Sequence, residues 1–546
     1  MTTGPPIVIR LWLVDLLEGL LRGALLVGLA LVVGGVTWAL TVLRAWRPDT
    51  PGAARRRCIR LAAAGAIAVA CCQASLLAVK AAELYAMLGS ASLADLAATA
   101  HFRAGVARAL IAIALALGLR AIDRASRPRP AWLAMSAGVI ALAASAAWLS
   151  HASSRLQDRG LLMGLTAAHQ AASAMWLGGL VQLVAVWRLG RQDPTVDAWR
   201  PVLLSRFSWV ATAGVAAVVV TALPLARLYV GSPPGLAGSG YGSLVVTKAA
   251  LLAAAVSLGA CNLAIARGGW RVPLPLRRAL LPLVEAEAIL LVATLFAAST
   301  LSALPPPVDL PASDQASVAE LVETFRPKVP ALRTPSLAAM RKDEAMASAE
   351  RSRDAYLWSN FSHNVSGLIL LGTAGTALVG ALVRRRWAWP WLVGFLGLAL
   401  FVYLRATANE GTWPLGPNGV WPVTGEGLQH RIAAGLVLGL GVIEWRVRAA
   451  PARAGRWRWA VPALAAAGAL LLLTHSHAAF EGRARFLVQV THTAMGALAV
   501  VMVVGRWMEL RLPPAPARIA GAISTAAMLG VALVLVFYRE ANVVPD

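Results

Sequence analysis

Apolar runs of about the twenty residues that a helix needs to cross a bilayer recur along almost the whole chain. They cover residues 16–43, 60–88, 104–121, 131–150, 160–187, 203–229, 242–266 and 278–300. After a polar stretch they resume at 363–383, 388–405, 426–445, 459–478, 485–507 and 517–538. The pattern predicts an all-α polytopic membrane protein of about 14 transmembrane helices. The first run begins after Asp15 and Glu18 and lacks a basic leader, so it reads as a retained span rather than a cleaved signal. The polar stretch divides the chain into a membrane domain of about eight helices over 1–300, a linker over 301–362 and a second membrane domain of about six helices over 363–546. The linker is mixed in charge, and it reads as a flexible connection with short surface helices or as a docking platform.

Composition agrees with a membrane protein: 58% of the 546 residues are hydrophobic and 14% charged, against roughly 25% charged in a soluble domain. The formal charge of +24 would suggest nucleic acid in a soluble chain, but its placement gives another reason. Arg44, Arg47 and Arg55 to Arg57 fall in one loop, Arg120 to Arg129 in the next but one, and the alternation continues through Arg188 to Arg206, Arg267 to Arg278, Arg384 to Arg386, Arg446 to Arg458 and Arg506 to Arg518. Opposite loops hold few basic residues. By the positive-inside rule both termini are extracytoplasmic, and no nucleic-acid partner is needed to account for the charge.

With that topology, all eight histidines fall on or near the outer half of the membrane. His151 ends the fourth span, and His169 lies about 13 Å along the fifth. The second half repeats the arrangement: His475 and His477 end one span, and His492 lies in the next. Ser150-His151-Ala152 and Ser476-His477-Ala478 match locally, a weak internal duplication of a hairpin carrying outward-facing histidines. Imidazole suits copper, zinc, iron and nickel, and an ionisable group inside a membrane is by default functional. His151, His169, His475, His477 and His492 are therefore the expected metal ligands. His363 and His430 either complete a site or sit at headgroup level, and His101 is read as solvated.

Met495, three residues after His492, shares its helix face, and thioether with imidazole favours Cu(I) over zinc. Cys58 falls in a basic loop, Cys71, Cys72 and Cys261 fall in apolar runs, and no CxxC pair is present; the adjacent Cys71 and Cys72 either offer soft thiolates to a metal or are small buried residues of a membrane helix. Lys80 and Glu83 are expected to pair. Glu285 and Glu287 point to different faces of one span, either carrying protons or cations or forming interhelical ion pairs. No phosphate-binding, dinucleotide or hydrolase motif is present, so the chain is read as a non-enzyme.

The segments His169-Gln-Ala-Ala-Ser-Ala-Met-Trp176-Leu-Gly-Gly-Leu, Phe207-Ser-Trp-Val-Ala-Thr-Ala-Gly214, Tyr241-Gly-Ser-Leu-Val-Val-Thr-Lys248 and Gly259-Ala-Cys-Asn262 resemble the bacterial copper-resistance D (CopD) family of inner-membrane proteins, over roughly residues 15–300. The second half, with Leu428-Gln-His430-Arg and Leu473-Thr-His475-Ser-His477-Ala, looks like the extension of longer members. The resemblance implies a multi-pass protein of the bacterial cytoplasmic membrane that moves or handles copper, with a periplasmic copper-binding protein as partner. It carries over His151 and His169 as copper ligands, and Trp176, Gly178 and Gly179 as close-packing residues. The outer loops have no clustered Met, unlike a copper sponge.

Together these readings give a protein that accepts copper, as Cu(I), at an outward-facing histidine site and passes it inward. The rivals are a redox protein with b-type haem between two histidines, and a non-transporting scaffold or sensor using 301–362 as its partner surface.

Overall fold

In the computed structural model, residues 6–122, 128–268, 271–338, 353–383, 387–405, 408, 412–415, 425–474 and 483–540 are described. The main helices, in order, are α1 (Pro6–Thr41), α2 (Gly52–Leu88), α3 (Ala100–Ala121), α4 (Pro128–Trp148), α5 (Arg159–Leu189), α6 (Arg200–Val230), α7 (Gly240–Gly268) and α8 (Leu274–Leu301). They continue as α9 (Val318–Phe325), α10 (Arg353–Leu382), α11 (Trp389–Arg405), α12 (Gly425–Ala449), α13 (Ala460–Leu473), α14 (Arg483–Arg511) and α15 (Pro514–Val536). Every apolar run of the sequence overlaps one of these helices. Among the described residues, 11 helices are long and apolar enough to cross a membrane, and α11 is a shorter apolar helix. The chain is an all-α polytopic membrane protein. The apolar side chains it exposes, such as Leu117, Leu133, Ile140, Trp209 and Leu223, are what a lipid-facing surface requires.

Chemistry at the ends fixes where helices stop. Gly89 and Gly231 adopt φ of 79° and 73° and end α2 and α6, a conformation that costs glycine little. Thr99 begins α3 by accepting the Phe102 amide at 3.1 Å.

The chain forms two compact units. One comprises residues 17–232 and 248–304. In it α2 packs on α3 and α5, α4 on α3 and α5, and α5 on α6 and α8. Small residues of α1 let backbones meet. A Cβ on Gly178 of α5 would fall 1.9 Å from the Ala30 carbonyl oxygen of α1, and one on Gly65 of α2 would fall 2.8 Å from the Gly28 carbonyl oxygen. Such close approach is how helices associate in lipid, where burial of apolar surface drives nothing. Gly179 meets the Phe207 ring in the same way, so both glycines of the pair are close-packing positions. Lys80 and Glu83 do pair, at 2.8 Å.

The other unit comprises residues 1–16, 233–247 and 305–546. Six helices pack here in a closed ring: α10 on α11, α11 on α12, α12 on α13, α13 on α14, α14 on α15 and α15 on α10. Glu444 of α12, 1% exposed, reaches across to Arg506 of α14 at 2.9 Å. The segment after residue 305 contributes α9, whose Ser317 and Glu320 form a reciprocal capping box. α9 docks on the start of α14, around Phe486, Leu487 and Val490. Burial pushes the Glu320 carboxyl up, but hydrogen bonds from Ser317 and Arg483 outweigh it and hold it below the usual range. The docking contribution of this carboxylate is therefore complete above about pH 4.3, the ordinary Glu value, and is lost as pH falls through the depressed folded value. Protection of the 318–325 amides, measured against their intrinsic exchange rates at each pH, is expected to fall on acidification below pH 4, and Glu320→Gln should remove that dependence. A pH dependence that survives in Glu320→Gln would assign it to another group.

Candidate functional site

Among the described residues, histidines with polar or aromatic partners are found in each of the two units. In the unit of residues 17–232 and 248–304, His169 lies in α5 and its Nδ1 is 3.0 Å from the Thr221 hydroxyl of α6. Thr221 also donates to the Ala217 carbonyl at 2.6 Å, so it can accept the Nδ1 proton while its own proton is committed. That tautomer puts the ring lone pair on Nε2, the arrangement of a metal-ligating histidine. Lys248 of α7 acts electrostatically on the same ring. His151 lies in a short turn, His151–Ser154, after α4, with Nε2 3.3 Å from the Leu301 carbonyl oxygen at the end of α8. The two histidines thus hydrogen-bond to different helices, α6 for one and α8 for the other. His101, near the start of α3, is exposed.

In the ring of six helices, His492 of α14 and His363 of α10 come together. Their ring centroids are 5.5 Å apart and the planes perpendicular. Tyr538, just past α15, stacks on His363 at 4.0 Å and lies 6.0 Å from His492. Each imidazole is oriented by its own helix: Nδ1 of His363 is 2.8 Å from the Ser359 carbonyl oxygen, and Nδ1 of His492 is 3.0 Å from that of Val488. A carbonyl only accepts, so both Nδ1 atoms carry the proton and both Nε2 atoms carry the lone pair.

The surrounding polar groups fix this arrangement. Asn364, fully buried, donates to the carbonyls of Leu535 and Tyr538, both at 3.0 Å, and Asn360 accepts the Glu540 amide at 2.9 Å. The chain after α15 is thereby tied to α10. Gly367 of α10 allows the close approach, since a Cβ there would meet the Val536 nitrogen at 2.5 Å. Tyr538 donates to Glu540 at 3.1 Å, and the Ser359 hydroxyl binds the same carboxylate. The site therefore has two oriented imidazoles, a phenol and a carboxylate at its edge. Among the described residues, no group of three or more His, Cys, Asp and Glu is placed to hold a metal ion. His475 and His477 lie outside the described residues.

Sequence spacing paired His492 with the hairpin that precedes it, and the structure adds His363 from a helix more than a hundred residues earlier. The ring closure of α10 on α15 and α15 on α14 makes this contact, and no periodicity records it. Tyr538 is the last residue of the final apolar run and Glu540 falls just beyond it, and the pattern gives no signal for either. Met495, buried at 3%, lies one turn further along α14 than His492.

Comparison with known proteins adds one result. Residues 201–301 match the family described as copper resistance protein D. The copper-resistance-D-like region is thus narrower than residues 15–300, over which the segments quoted above resemble that family. It runs from the start of α6 to the end of α8 and contains Thr221, Lys248, Asn262 and Glu287, while His151, His169 and the six-helix ring lie outside it. No curated protein and no solved structure matches the chain. With its many membrane-length helices and this region, the chain is a multi-pass protein of the bacterial cytoplasmic membrane.

Proposed function

We propose that the protein handles copper at the cytoplasmic membrane, taking it as Cu(I) on the extracytoplasmic side and passing it inward as a transporter rather than an enzyme. The observation that carries this reading is the His363–His492 pair. Each ring directs its Nδ1 to a carbonyl of its own helix, the tautomer that places the lone pair on Nε2. The copper-resistance-D-like region supports copper as the cargo. In this reading all 14 helices cross the membrane with both termini outside, residues 1–300 and 363–546 are the two membrane domains, and 301–362 is an extracytoplasmic linker. His151, His169, His475, His477 and His492 are ligands, joined by His363.

Copper at His169 would sit near the Lys248 ammonium, and two cations repel. Copper is therefore expected to bind less tightly at His169 than at His363 and His492. The linker and α9 face the side from which a small periplasmic copper-binding protein would deliver the ion. The edge-to-face contact of His363 and His492 leaves no room for a macrocycle between the rings, which favours copper over b-type haem.

Metal analysis and an absorption spectrum of the detergent-purified protein test this. Near-stoichiometric copper without a Soret band is expected, with affinity falling by at least the roughly 10–100-fold that loss of outer-shell partners costs in His363→Ala and in His492→Ala. A Soret band lost in the same variants would make the protein a haem carrier. Neither copper nor haem would return the reading to a scaffold or sensor.

A further inference from the structure

Glu287 lies near the middle of α8 and is 3% exposed. Its Oε1 accepts the Trp176 indole N–H of α5 at 2.8 Å, and its Oε2 accepts the Asn262 side-chain N–H of α7 at 2.7 Å. Both donors are neutral, and among the described residues no Lys, Arg or His forms an ion pair with this carboxyl. Its neighbour Glu285 differs, being bonded to Arg188 at 2.7 Å.

Other charges near these helices are distant, engaged or, as at Arg267, exposed. On α5, Arg188 lies about 18 Å along the axis from Trp176 and is held by Glu285, while His169 lies about 10 Å the other way and is bonded to Thr221. On α7, Lys248 is about 21 Å along the axis from Asn262, Arg267 about 7 Å on the other side, and Cys261, next to Asn262, is exposed. On α8 itself, Arg277 and Arg278 precede Glu287 by about 15 Å. α1 packs on α8 where Gly23 meets Phe296, and its Glu18 and Arg22 pair with each other.

A charged carboxylate in such a place is costly unless it can take up a proton, and the neutral acid then needs an acceptor for its new O–H. Asn262 supplies one. Its Oδ1 is buried and has no hydrogen-bond partner. A half-turn of the amide exchanges N–H for Oδ1 at the carboxyl, so one side chain donates to the charged form and accepts from the neutral one. Gly259 of α7 lines the same carboxyl: a Cβ there would stand 3.2 Å from Oε1, so glycine leaves the carboxyl its space.

We propose that Glu287 is a proton-binding site inside the membrane, whose charged and neutral forms are both served by the Asn262 amide. The proton comes from water, forms an O–H bond on Oε2 and leaves by the same bond, with nothing oxidised or reduced. The site does not depend on what the protein transports. Where the cargo is a cation, a carboxyl that alternates between charged and neutral gives it an exchanging counter-charge, and that consequence alone rests on the copper reading.

The test is an infrared pH titration of the full-length protein in lipid nanodiscs, following the C=O stretch of a protonated carboxyl. A band that grows on acidification is expected in the native protein, absent in Glu287→Gln and shifted in frequency in Glu287→Asp. Removing the Asn262 donor in Asn262→Leu should move the midpoint up by about one pH unit or more. No titrating band assignable to residue 287, or one present at every pH, would overturn the proposal, as would a midpoint unmoved in Asn262→Leu. The readout contains no copper, so it succeeds or fails apart from the copper reading.

Discussion

Glu444→Leu is expected to destabilise the six-helix ring by about 3–5 kcal/mol, the cost of removing one partner from a buried ion pair. Glu444 is 1% exposed and bridges two arginines, Arg506 of α14 at 2.9 Å and Arg448 one turn further along α12. Without it the Arg506 guanidinium, 9% exposed, keeps Glu509 at 2.8 Å as a carboxylate neighbour but loses its link across the ring. The penalty comes from two arginines, Arg448 and Arg506, left to share the one carboxylate of Glu509, so Glu444→Leu combined with Arg506→Met should recover most of the loss. Thermal unfolding in detergent of both single variants and the double variant measures this. A double variant as unstable as the sum of the singles would contradict it, because the two residues would then act independently.

Gly178→Leu should be as damaging in the other unit, costing about 3 kcal/mol or more and leaving little protein in the membrane. The atom it would meet is a backbone carbonyl oxygen, Ala30 O, only 1.9 Å from an ideal Cβ, with the Gly34 Cα at 2.8 Å. Neither belongs to a side chain that can turn aside, so α1 and α5 must separate. Gly164 lies on the same helix with nothing within 4 Å of its would-be Cβ. Gly164→Ala is therefore expected to be neutral or to stabilise α5 by about 0.5–1 kcal/mol. Expression level and unfolding temperature distinguish the two. Equal effects would show that helix propensity, and not the crossing, governs both positions.

These two sites show what the sequence made readable. Gly178 and Gly179 came as close-packing residues from the family resemblance, and close packing is what they do. The helices themselves were legible because an apolar run of spanning length allows few other structures once the backbone must satisfy its own hydrogen bonds. Helix neighbours were not legible, because lipid-embedded faces carry no amphipathic stripe that names a partner. Glu444 and Arg506 are 62 positions apart and meet only because the ring closes. For the same reason His492 could be recognised as a candidate while His363 stood unassigned. Trp176 was expected to pack, and it packs, but its indole N–H also holds Glu287. The spacing of Glu285 and Glu287 placed them on different faces; both still reach α5, one through Trp176 and the other through the long Arg188 side chain.

The central claim, that copper is taken from the outer side by oriented histidines and carried inward, is tested most directly by copper entry into proteoliposomes containing the full-length protein. A Cu(I)-sensitive probe inside the vesicles should report uptake that depends on the protein. Uptake should weaken on acidification, because a ring nitrogen must be unprotonated to bind the ion, and should be abolished in His363→Ala with His492→Ala. Uptake unchanged in that double variant, or copper that binds without entering, would contradict the account.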